Sequence, residues 1–476
     1  MNHSTGVRIQ FNSTLPCWLW FPLHISQRKA LLIGVDLVLL NTALLLALRL
    51  NLNMPASYTT IALHPEWFAS LTLLWLTIAS ANDNYEVKQA AQVFSSIFGI
   101  IKTLLITGVI YTLLPLVSPP LPTERPLILP VETLAAGLLG LWRTFYATVL
   151  VRPNFQRRVL IAGDGWAGRI IAQTIKKYDP SYEIIGYVNG DASGQELDIK
   201  GASVSDKWVD LATYAHDHNV SDIVLTNPHD MQSGQLQAFL TCFEQGVRIV
   251  PMPELFEEIT GRIPVEHIDN SWLGFLPIDW DSRRLYLIVK RAMDIVIAGI
   301  GLLLLAPSFP FLALAIKLDS SGPIFYRPKR LGRGGKPFRL WKFRTMVSNA
   351  DRIGDRTFTK RHDQRITLVG RFLRTTHIDE LPQFINVLAG DMSLVGPRPE
   401  RHVPELEDSI PYYRTRYAVK PGATGWALVK QGYAEGLEGT LIKLQYDLYY
   451  IKHQSLSFDV LILWKSVIHM LTMRGR

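Results

Sequence analysis

Two adjacent carboxylates, Asp379 and Glu380, lie in IDELPQFINVLAGDMSLVGPRPE (378–400), the stretch with the clearest chemical signal in the chain. Thr375 and Thr376 precede them as candidate N-caps, so the pattern places both acids in the first turn of a helix, where the helix dipole favours ionised carboxylate. An ionised, fixed aspartate can attack phosphorus and form an acyl phosphate, or it can bind Mg²⁺ together with phosphate oxygens. Acids are also common at helix N-termini without any catalytic role.

Arg398 follows in GPRPE, between two prolines that restrict the backbone on both sides of it. A guanidinium held in this way suits bidentate binding of a phosphate, which favours chemistry over an ordinary helix start. Upstream, PIFYRPKRLGRGGKPFRLWKFRTM (323–346) alternates apolar and basic residues around glycines. The alternation predicts a hairpin with one basic face, which could bind a diphosphate, a lipid phosphate or simply the membrane surface.

The bulk composition supports a membrane protein with a basic aqueous part. Of the 476 residues, 48% are hydrophobic, yet the net charge is +8, which favours partners such as phosphates or anionic lipid. The two cysteines, Cys17 and Cys242, are far apart and imply neither a disulfide framework nor a zinc site. Nucleic acid is a poor fit for a chain tethered to a bilayer.

Four apolar segments near the start are each close to the length of a membrane-spanning helix: 30–50, 66–81, 91–117 and 131–151. Basic residues concentrate on the side that holds both ends of this unit, so the positive-inside rule places both ends in the cytoplasm. Asp36 and Lys102 lie within the spans, where we expect interhelical hydrogen bonds or snorkelling in preference to a polar pathway.

The middle of the chain, 156–280, alternates predicted strands and helices and predicts a soluble α/β domain with a mostly parallel sheet. Its GDGWAG turn, with Gly163, Gly165 and Gly168, follows a strand and opens a helix, a context in which backbone N–H groups can bind a nucleotide phosphate. The same turn could also serve the sheet alone. Asp191, after the second strand, leaves a ribose-binding acid undecided.

A long apolar segment, about 286–318, begins the last part of the chain and is broken at Pro307 and Pro310. Basic residues flank both of its ends, so we predict a re-entrant helix that enters the membrane and returns to the cytoplasmic side. The alternative is one long tilted span, which would place the following basic region outside.

Several motifs of residues 281–476 together resemble the bacterial sugar transferases, the polyprenyl-phosphate hexose-1-phosphate transferases such as the undecaprenyl-phosphate galactose or glucose phosphotransferases. They are KRAMDI (290–295), the basic segment 323–346, RITLVGRFLRTTHIDELPQFINVLAGDMSLVGPRPE (365–400), KPGATGW (420–426) and YDLYYIK (446–452). The resemblance covers about the last 195 residues, in order and nearly unbroken. The front of the chain resembles long-form members in architecture.

This resemblance implies a phosphoglycosyl transferase that moves a sugar 1-phosphate from a UDP-sugar to undecaprenyl phosphate and releases UMP. It implies a covalent aspartyl phospho-sugar, Mg²⁺, and a site on the cytoplasmic face of the bacterial inner membrane. Such enzymes start the assembly of O-antigen (the lipopolysaccharide polymer), capsule or exopolysaccharide. A homodimer is possible, and the motifs do not indicate which sugar is used.

The resemblance also assigns roles to individual residues. Asp379 would be the nucleophile, and Glu380 would assist in proton transfer or in positioning the metal. Pro307 would break the re-entrant helix, although Ala306 stands where a serine is frequent in the family and so removes a hydroxyl partner for the freed carbonyls. The residues expected to hold phosphates or the nucleotide are Lys342, Arg344, Arg374 and Arg398.

The predicted fold class is therefore membrane α plus α/β. It comprises four N-terminal transmembrane helices (1–155), a Rossmann-like cytosolic domain (156–280) and a C-terminal monotopic catalytic domain with the re-entrant helix (281–476). One alternative is a membrane nucleotide-sugar dehydratase or epimerase, which needs a Tyr-x-x-x-Lys pair; here that spacing occurs at Tyr286–Lys290, outside the α/β domain. Another is a non-catalytic membrane scaffold, which fits the front of the chain.

Overall fold

A computed structural model gives the fold of the chain. It describes residues 25–50, 63–113, 128–150, 157–163, 165–179, 181–188, 203–204, 211–226, 233–265, 284–347, 363, 365–431 and 436–471. The chain divides into two compact units, Met1–Ile259 and Thr260–Arg476. Both boundaries predicted between the three domains, at 155/156 and 280/281, lie outside the described residues, as does Asp191.

The first unit begins with helices rich in leucine and other apolar residues. They are α1 (Ile25–Leu50), α2 (Pro65–Ala81), α3 (Val87–Ala90), α4 (Val93–Leu113) and α5 (Ile128–Phe145), which continues as a π-helical turn, Tyr146–Leu150. Among the described residues, three unbroken helical stretches are long and apolar enough to cross a membrane, namely Arg28–Leu50, Val93–Thr112 and Ile128–Leu150. The chain is therefore membrane-associated. The shorter α2 has 17 residues, and its crossing stays a prediction.

Asp36 of α1 is buried and forms an ion pair with Arg143 of α5, which is buried as well. Arg143 also donates a hydrogen bond of 2.9 Å to the carbonyl of Asn84. A charge in an apolar helix bundle is costly unless it is paired, so the two residues have to meet. This confirms the interhelical interpretation of Asp36.

An α/β layer structure follows in the same unit. Its strands are β1 (Arg157–Ala162), β2 (Tyr182–Val188), β3 (Ser203–Val204), β4 (Asp222–Leu225) and β5 (Arg248–Pro251), and its helices are α6 (Gly165–Tyr178), α7 (Leu211–Asp217), α8 (Ser233–Glu244) and α9 (Met252–Thr260). All strand pairs are parallel, in the order β3-β2-β1-β4-β5. The predicted parallel sheet is confirmed, and its order is that of the first five strands of dinucleotide-binding folds.

The glycine turn between β1 and α6 is closely packed by the sheet itself. Gly163 has φ +114°, and a Cβ there would collide with the side-chain oxygen of Thr226, which follows β4. Gly165 begins α6, and a Cβ on Gly168 would lie 3.5 Å from Ile161. The packing alone thus explains Gly163, and nucleotide binding at this turn stays a prediction.

The second unit contains the bent helix pair and the sequence motifs. Its helices are α10 (Arg284–Leu305), α11 (Phe309–Asp319), α12 (Leu368–Thr375), α13 (Gln383–Ala389), α14 (Pro404–Ser409), α15 (Trp426–Gln431), α16 (Gly436–Lys452) and α17 (Leu456–Leu471). Its short strands are β6 (Phe325–Tyr326), β7 (Lys329–Leu331), β8 (Pro337–Arg339), β9 (Lys342–Phe343), β10 (Ser393–Val395) and β11 (Gly422–Thr424). Its core includes Val387, Leu394, Leu448, Tyr450 and Ile462, all nearly inaccessible to solvent.

Helices α10 and α11 meet at an angle of 65° across a turn at residues 306–308, which contains Pro307. The hydroxyl of Ser308 donates a 2.9 Å hydrogen bond to the carbonyl of Leu305, the last residue of α10. The carbonyl of Leu305 also accepts from the amide of Ser308 at 3.1 Å, so the end of α10 is capped by Ser308 without a hydroxyl at position 306. The break lies where the proline predicts it, and the re-entrant course of the pair stays a prediction.

Candidate active site

The acidic pair, Asp379 and Glu380, lies in a 3-10 turn, Ile378–Glu380, between α12 and α13. The prediction that Thr375 and Thr376 are N-caps is wrong, because they end the preceding helix. Their hydroxyls donate to carbonyls one turn back, at Arg371 and Phe372, each over 2.9 Å. Threonine can make this local bond inside a helix end, so its presence before the acids does not require a new helix start.

His377 links the end of α12 to the acidic pair in a left-handed conformation, with φ 58°. Residues other than glycine adopt this conformation at some energetic cost, and they do so most often at functional or sharply turning positions. The reversal at His377 lets the 3-10 turn leave the axis of α12. The two carboxylates are thereby turned toward the hairpin strands instead of continuing along the helix.

Glu380 is clamped between two cations from distant parts of the chain. Lys342 Nζ and Arg398 Nη2 each lie 2.7 Å from Glu380 Oε1, and Arg398 Nη1 lies 3.4 Å from Oε2. The structure thus brings together three predicted site residues separated by 38 and 18 positions. Because all three side chains are partly buried, their charges are screened less than those of surface residues.

The two acids of the pair titrate differently. Burial, followed by the negative charge of Glu380, raises the pKa of Asp379 to about 6, against the opposing charges of Lys342, Arg374 and Arg398. Burial also acts to raise the pKa of Glu380, but the charges of Arg398 and Lys342 outweigh it and hold that pKa well below its usual range. Glu380 is therefore a permanent anion, and Asp379 is a carboxylate that still ionises by neutral pH.

The basic hairpin is confirmed as two nested antiparallel pairs. Strand β7 pairs with β8 around the 3-10 turn Arg333–Gly335, and β6 pairs with β9, which places Tyr326 opposite Lys342. Lys342 leaves its strand on the side of the acidic pair. The packing of β9 against the 3-10 turn thus explains why the lysine reaches Glu380 across a long gap in sequence.

Arg374 and Arg344 come from adjacent elements but differ in surroundings. Arg374, half-buried at the end of α12, donates from Nε to the hydroxyl of Thr345 over 2.8 Å. Arg344 is 6% exposed and donates from Nη2 to the carbonyls of Ile316, at 3.2 Å, and Ser320, at 2.6 Å. It therefore anchors the C-terminal end of α11, whereas Arg374 contributes its charge to Asp379.

The backbone of Arg398 is supported by a buried ion pair. Arg416 Nη2 lies 2.7 Å from Asp447 Oδ2 and also donates to the carbonyl of Arg398 over 3.3 Å. Two residues further, Glu400 Oε1 lies 2.6 Å from Lys443 Nζ. These contacts, together with the flanking prolines, keep the guanidinium of Arg398 in place beside Glu380.

Sequence reasoning missed a second buried charge cluster that joins α10 to α17. Asp459 receives hydrogen bonds from Lys290 Nζ at 2.8 Å, Tyr286 OH at 2.9 Å and Tyr450 OH at 2.7 Å. The signal was available, since Lys290 and Asp459 are charged residues inside apolar helices and need partners. The Tyr286–Lys290 spacing is thereby explained as part of an ion cluster, which counts against hydride chemistry there.

Helix α10 also forms hydrogen bonds with α13 and β10, which lie next to the acidic pair in the chain. Arg291 donates to the carbonyls of Val387, at 2.6 Å, and Leu388, at 2.8 Å, at the end of α13. Asp294 accepts a 2.9 Å hydrogen bond from the amide of Leu394 in β10. The KRAMDI motif therefore connects the bent helix pair to the framework of the acidic pair.

The acidic pair offers oxygen ligands of the kind that Mg²⁺ prefers. Glu380 Oε1 takes both short cation contacts, which leaves Oε2 with one contact of 3.4 Å. In the described part of the chain, no group of three or more His, Cys, Asp or Glu could hold a metal. Two carboxylates suffice for a Mg²⁺ that also binds substrate phosphates, so the residues present fit such an ion.

The family to which known proteins assign this chain is matched over the residues that form the bent helix pair and the candidate site. The family model for the bacterial sugar transferases matches residues 285–473, which contain the bent helix pair, the hairpin, the acidic pair and Arg398. A UDP-N-acetylgalactosamine-undecaprenyl-phosphate N-acetylgalactosaminephosphotransferase of Aeromonas hydrophila is 40% identical over 266 residues, which is 55% of this chain and 61% of the relative. The chain thus spans about three fifths of the length of that protein.

Two relatives with a different sugar in their names are similar as well. A UDP-glucose:undecaprenyl-phosphate glucose-1-phosphate transferase of Escherichia coli (strain K12) is 35% identical over 326 residues, covering 66% of this chain and 67% of the relative. A protein with the same description from Caulobacter vibrioides is 44% identical over 187 residues, covering 38% of this chain and 70% of the relative. The chain belongs to the bacterial sugar transferase family.

Proposed function

We propose that this protein transfers a sugar 1-phosphate from a UDP-sugar to undecaprenyl phosphate, releases UMP and thereby starts the assembly of a bacterial polysaccharide. The observation that carries the proposal is the acidic pair, in which Asp379 is half-buried beside a Glu380 held by Lys342 and Arg398. Names of relatives that act on undecaprenyl phosphate and either UDP-glucose or UDP-N-acetylgalactosamine support the substrate class.

The diphosphate of the donor binds against the cations around the acidic pair. Arg398 supplies a planar guanidinium suited to two phosphate oxygens, and Lys342 and Arg374 supply further positive charge close to Asp379. Arg344 acts on the site indirectly, because its guanidinium holds the end of α11. Glu380 keeps Lys342 and Arg398 oriented before the donor arrives.

The transfer proceeds in two displacements at phosphorus. An Asp379 carboxylate oxygen attacks the sugar-linked phosphorus, the bond from that phosphorus to the bridging oxygen breaks, and UMP leaves with the bond's electrons. A phosphate oxygen of undecaprenyl phosphate then attacks the same phosphorus, and the Asp379 carboxylate is released. Each step needs positioning and charge stabilisation more than covalent chemistry from the remaining residues. Glu380 assists through its charge and its hold on the two cations.

A Mg²⁺ bound by Asp379 and Glu380 together with substrate phosphates would neutralise the charge of the diphosphate and favour its cleavage. The protein residues then determine which oxygen attacks. Because Lys342 and Arg398 are both bound at Glu380 Oε1, Asp379 is the less encumbered carboxylate for the attack on phosphorus.

We further propose that α10 and α11 form the re-entrant helix and that the site lies on the cytoplasmic face of the inner membrane. The bent pair exposes large apolar side chains, including Leu303, Leu304, Phe311 and Leu318, each with about three quarters of its surface accessible. Such a surface fits lipid better than water. A monotopic site there can receive a soluble donor from the cytoplasm and a lipid-linked acceptor from the bilayer. A homodimer stays a prediction.

The test is a screen of UDP-sugars with the purified full-length protein, undecaprenyl phosphate and Mg²⁺, with UMP release and lipid-linked sugar as readouts. The screen should include UDP-glucose and UDP-N-acetylgalactosamine, because these two donors appear in the descriptions of relatives. We expect one of the sugars to appear on the lipid with stoichiometric UMP. Release of UDP instead of UMP would contradict the proposal, since it would mean that only the sugar is transferred.

A further inference from the structure

A cleft of about 310 Å³ lies between the β7–β8 hairpin and the segment 402–417. One wall comes from the hairpin and the other from α14 and the 3-10 segment Tyr413–Ala418. Its lining residues are Lys329, Arg330, Leu331, Gly335, Pro337, His402, Glu407, Arg414 and Tyr417. Its volume is at the lower end of the range for small-molecule sites.

The cleft and the acidic pair share one short piece of backbone. The amide of Leu331, in the cleft wall, donates to the carbonyl of Glu400 over 3.4 Å. Arg398 lies two residues before Glu400, so their Cα atoms are at most about 7 Å apart. Arg398 in turn binds Glu380 at 2.7 Å. A molecule whose phosphate lies at Arg398 could therefore extend along 398–400 into the cleft.

The two walls differ in charge. On the hairpin side, burial and the charges of Arg401 and Arg398 lower the pKa of Arg330 against the opposing charge of Glu400, so three guanidinium groups and one carboxylate act on one another at this end. An anion bound at that end would relieve the mutual repulsion of the guanidinium groups. Lys329 adds an exposed ammonium on the same strand.

The opposite wall carries a carboxylate that has only long contacts to its neighbours. Glu407, whose side chain is 10% exposed, has Arg414 Nη1 at 3.3 Å, Tyr417 OH at 3.4 Å and His402 Nε2 at 3.7 Å. A carboxylate has about four acceptor positions, so this one can still accept hydrogen bonds from a ligand. Leu331, Pro337 and Tyr417 also line the cleft and offer apolar surface against which a planar ring can pack.

We propose that this cleft binds the nucleoside monophosphate end of the UDP-sugar donor. Its phosphate lies toward Arg330 and Arg398, its ribose hydroxyls donate to Glu407, and its base packs against Leu331 and Pro337. The inference rests on the proposed function. The lining residues come from the hairpin and from 402–417, not from the bent pair α10–α11, which favours the water-soluble donor over the lipid-linked acceptor.

The experiment measures binding of UMP, uridine and pyrophosphate to the full-length protein by calorimetry in detergent. Glu407→Gln should weaken UMP and uridine about tenfold, because a hydrogen bond to a charged acceptor is lost, and should leave pyrophosphate unchanged. Lys329→Gln, at an exposed position, should weaken UMP and leave uridine unchanged. Glu405→Gln is the matched control, since Glu405 is exposed on the same helix and does not line the cleft.

Unchanged affinity for UMP and uridine in Glu407→Gln would overturn the inference, and so would equal weakening by the Glu405→Gln control. These results are distinguishable from failure of the proposed function. If the wild-type protein binds UMP through Glu407 but transfers no sugar phosphate, the proposed reaction is wrong and the nucleotide site remains. If it transfers sugar phosphate but Glu407→Gln leaves KM for the donor unchanged, the reaction stands and this cleft is not the nucleoside site.

Discussion

Asp379 and Glu380 are neighbours in the chain, yet their carboxylates bind protons with very different affinity. Glu380 accepts both Lys342 and Arg398 on one oxygen at 2.7 Å. Asp379 lies in the same 3-10 turn, and burial together with the charge of Glu380 raises its pKa to about 6. Glu380 is thus bound to cations, whereas Asp379 has a raised pKa. The environment separates two groups whose intrinsic pKa values are similar.

The raised pKa predicts how the first displacement depends on pH. In the proposed reaction Asp379 attacks only when ionised, so the rate of this step should be constant above about pH 7 and fall about tenfold per pH unit well below pH 6. Glu380 does not titrate in this window, because its pKa lies below the usual range. Single-turnover release of UMP between pH 5 and 8 measures the effect. A rate that stays flat down to pH 5 would exclude Asp379 as the titrating nucleophile.

Replacement of Asp379, the proposed nucleophile, should abolish the proposed covalent intermediate. Asp379→Asn should show neither transfer nor trapping of radiolabel from UDP-sugar, because an amide oxygen does not form a stable acyl phosphate. Glu380→Gln should still trap label, but about 10²–10³-fold more slowly, as expected when a charge that positions Lys342 and Arg398 is lost. Asp408→Asn, at an exposed position on α14, is the control. Near-normal turnover of Asp379→Asn would refute the aspartyl intermediate.

Loss of Lys342 should reduce use of the donor. Lys342→Ala removes one of the two short contacts to Glu380 and a positive charge near Asp379. We expect kcat/KM for the UDP-sugar to fall about 10–100-fold, the size of one charged hydrogen bond. Lys336→Ala, exposed on the same hairpin, should have little effect. Steady-state kinetics compare the two, and equal losses would point to general surface charge instead of a specific contact.

The buried Lys290–Asp459 pair should matter for stability more than for chemistry. Lys290→Met leaves Asp459 buried without its cation and should cost about 3–5 kcal/mol, whereas Lys290→Met with Asp459→Leu should recover much of the loss. Thermal unfolding of the full-length protein in detergent checks both variants. A double variant as unstable as the single one would show that Tyr286 and Tyr450, which lose their short hydrogen bonds to Asp459, carry the cost.

The re-entrant arrangement predicts that both arms of the bent pair are accessible from one side of the membrane. In a variant with Cys17 and Cys242 replaced by alanine, Leu285→Cys and Ser321→Cys flank the pair at exposed positions. An impermeant thiol reagent should label both in inverted vesicles and neither in spheroplasts. Labelling of one position only from the periplasmic side would mean a single tilted span.

Local patterns predicted several elements well. Alternation of apolar and basic residues predicts the nested strands around Lys342, and Pro307 marks the break between α10 and α11, because period and proline act over a few residues. Lys290 and Asp459 each stand out as charges inside apolar helices that need partners, but their pairing spans 169 residues, so no local pattern indicates which partner each one finds. The N-caps assigned to Thr375 and Thr376 were wrong, since a threonine hydroxyl can satisfy its own helix.

The site itself was only partly accessible from sequence. The motifs that hold Glu380, Lys342 and Arg398 are recognisable, but their meeting at one carboxylate oxygen depends on how β9 and 398–400 pack around the 3-10 turn. The motif KFRTM likewise does not show which partner each of its basic residues reaches, although Lys342 and Arg344 are only two residues apart. Lys342 reaches Glu380, whereas Arg344 reaches the end of α11.

If α10 and α11 form the proposed re-entrant helix, that last pair of contacts connects a membrane-embedded helix to the acidic pair. Arg344 donates to the carbonyl of Ser320 at the end of α11, and Lys342, two residues away, donates to Glu380 beside Asp379. Because a thinner or thicker lipid layer changes the tilt of an embedded helix, we expect a change in the tilt of α11 to move Arg344 and, two residues away, Lys342. Lipid chain length should thus set catalytic rate even where the acceptor itself is held constant.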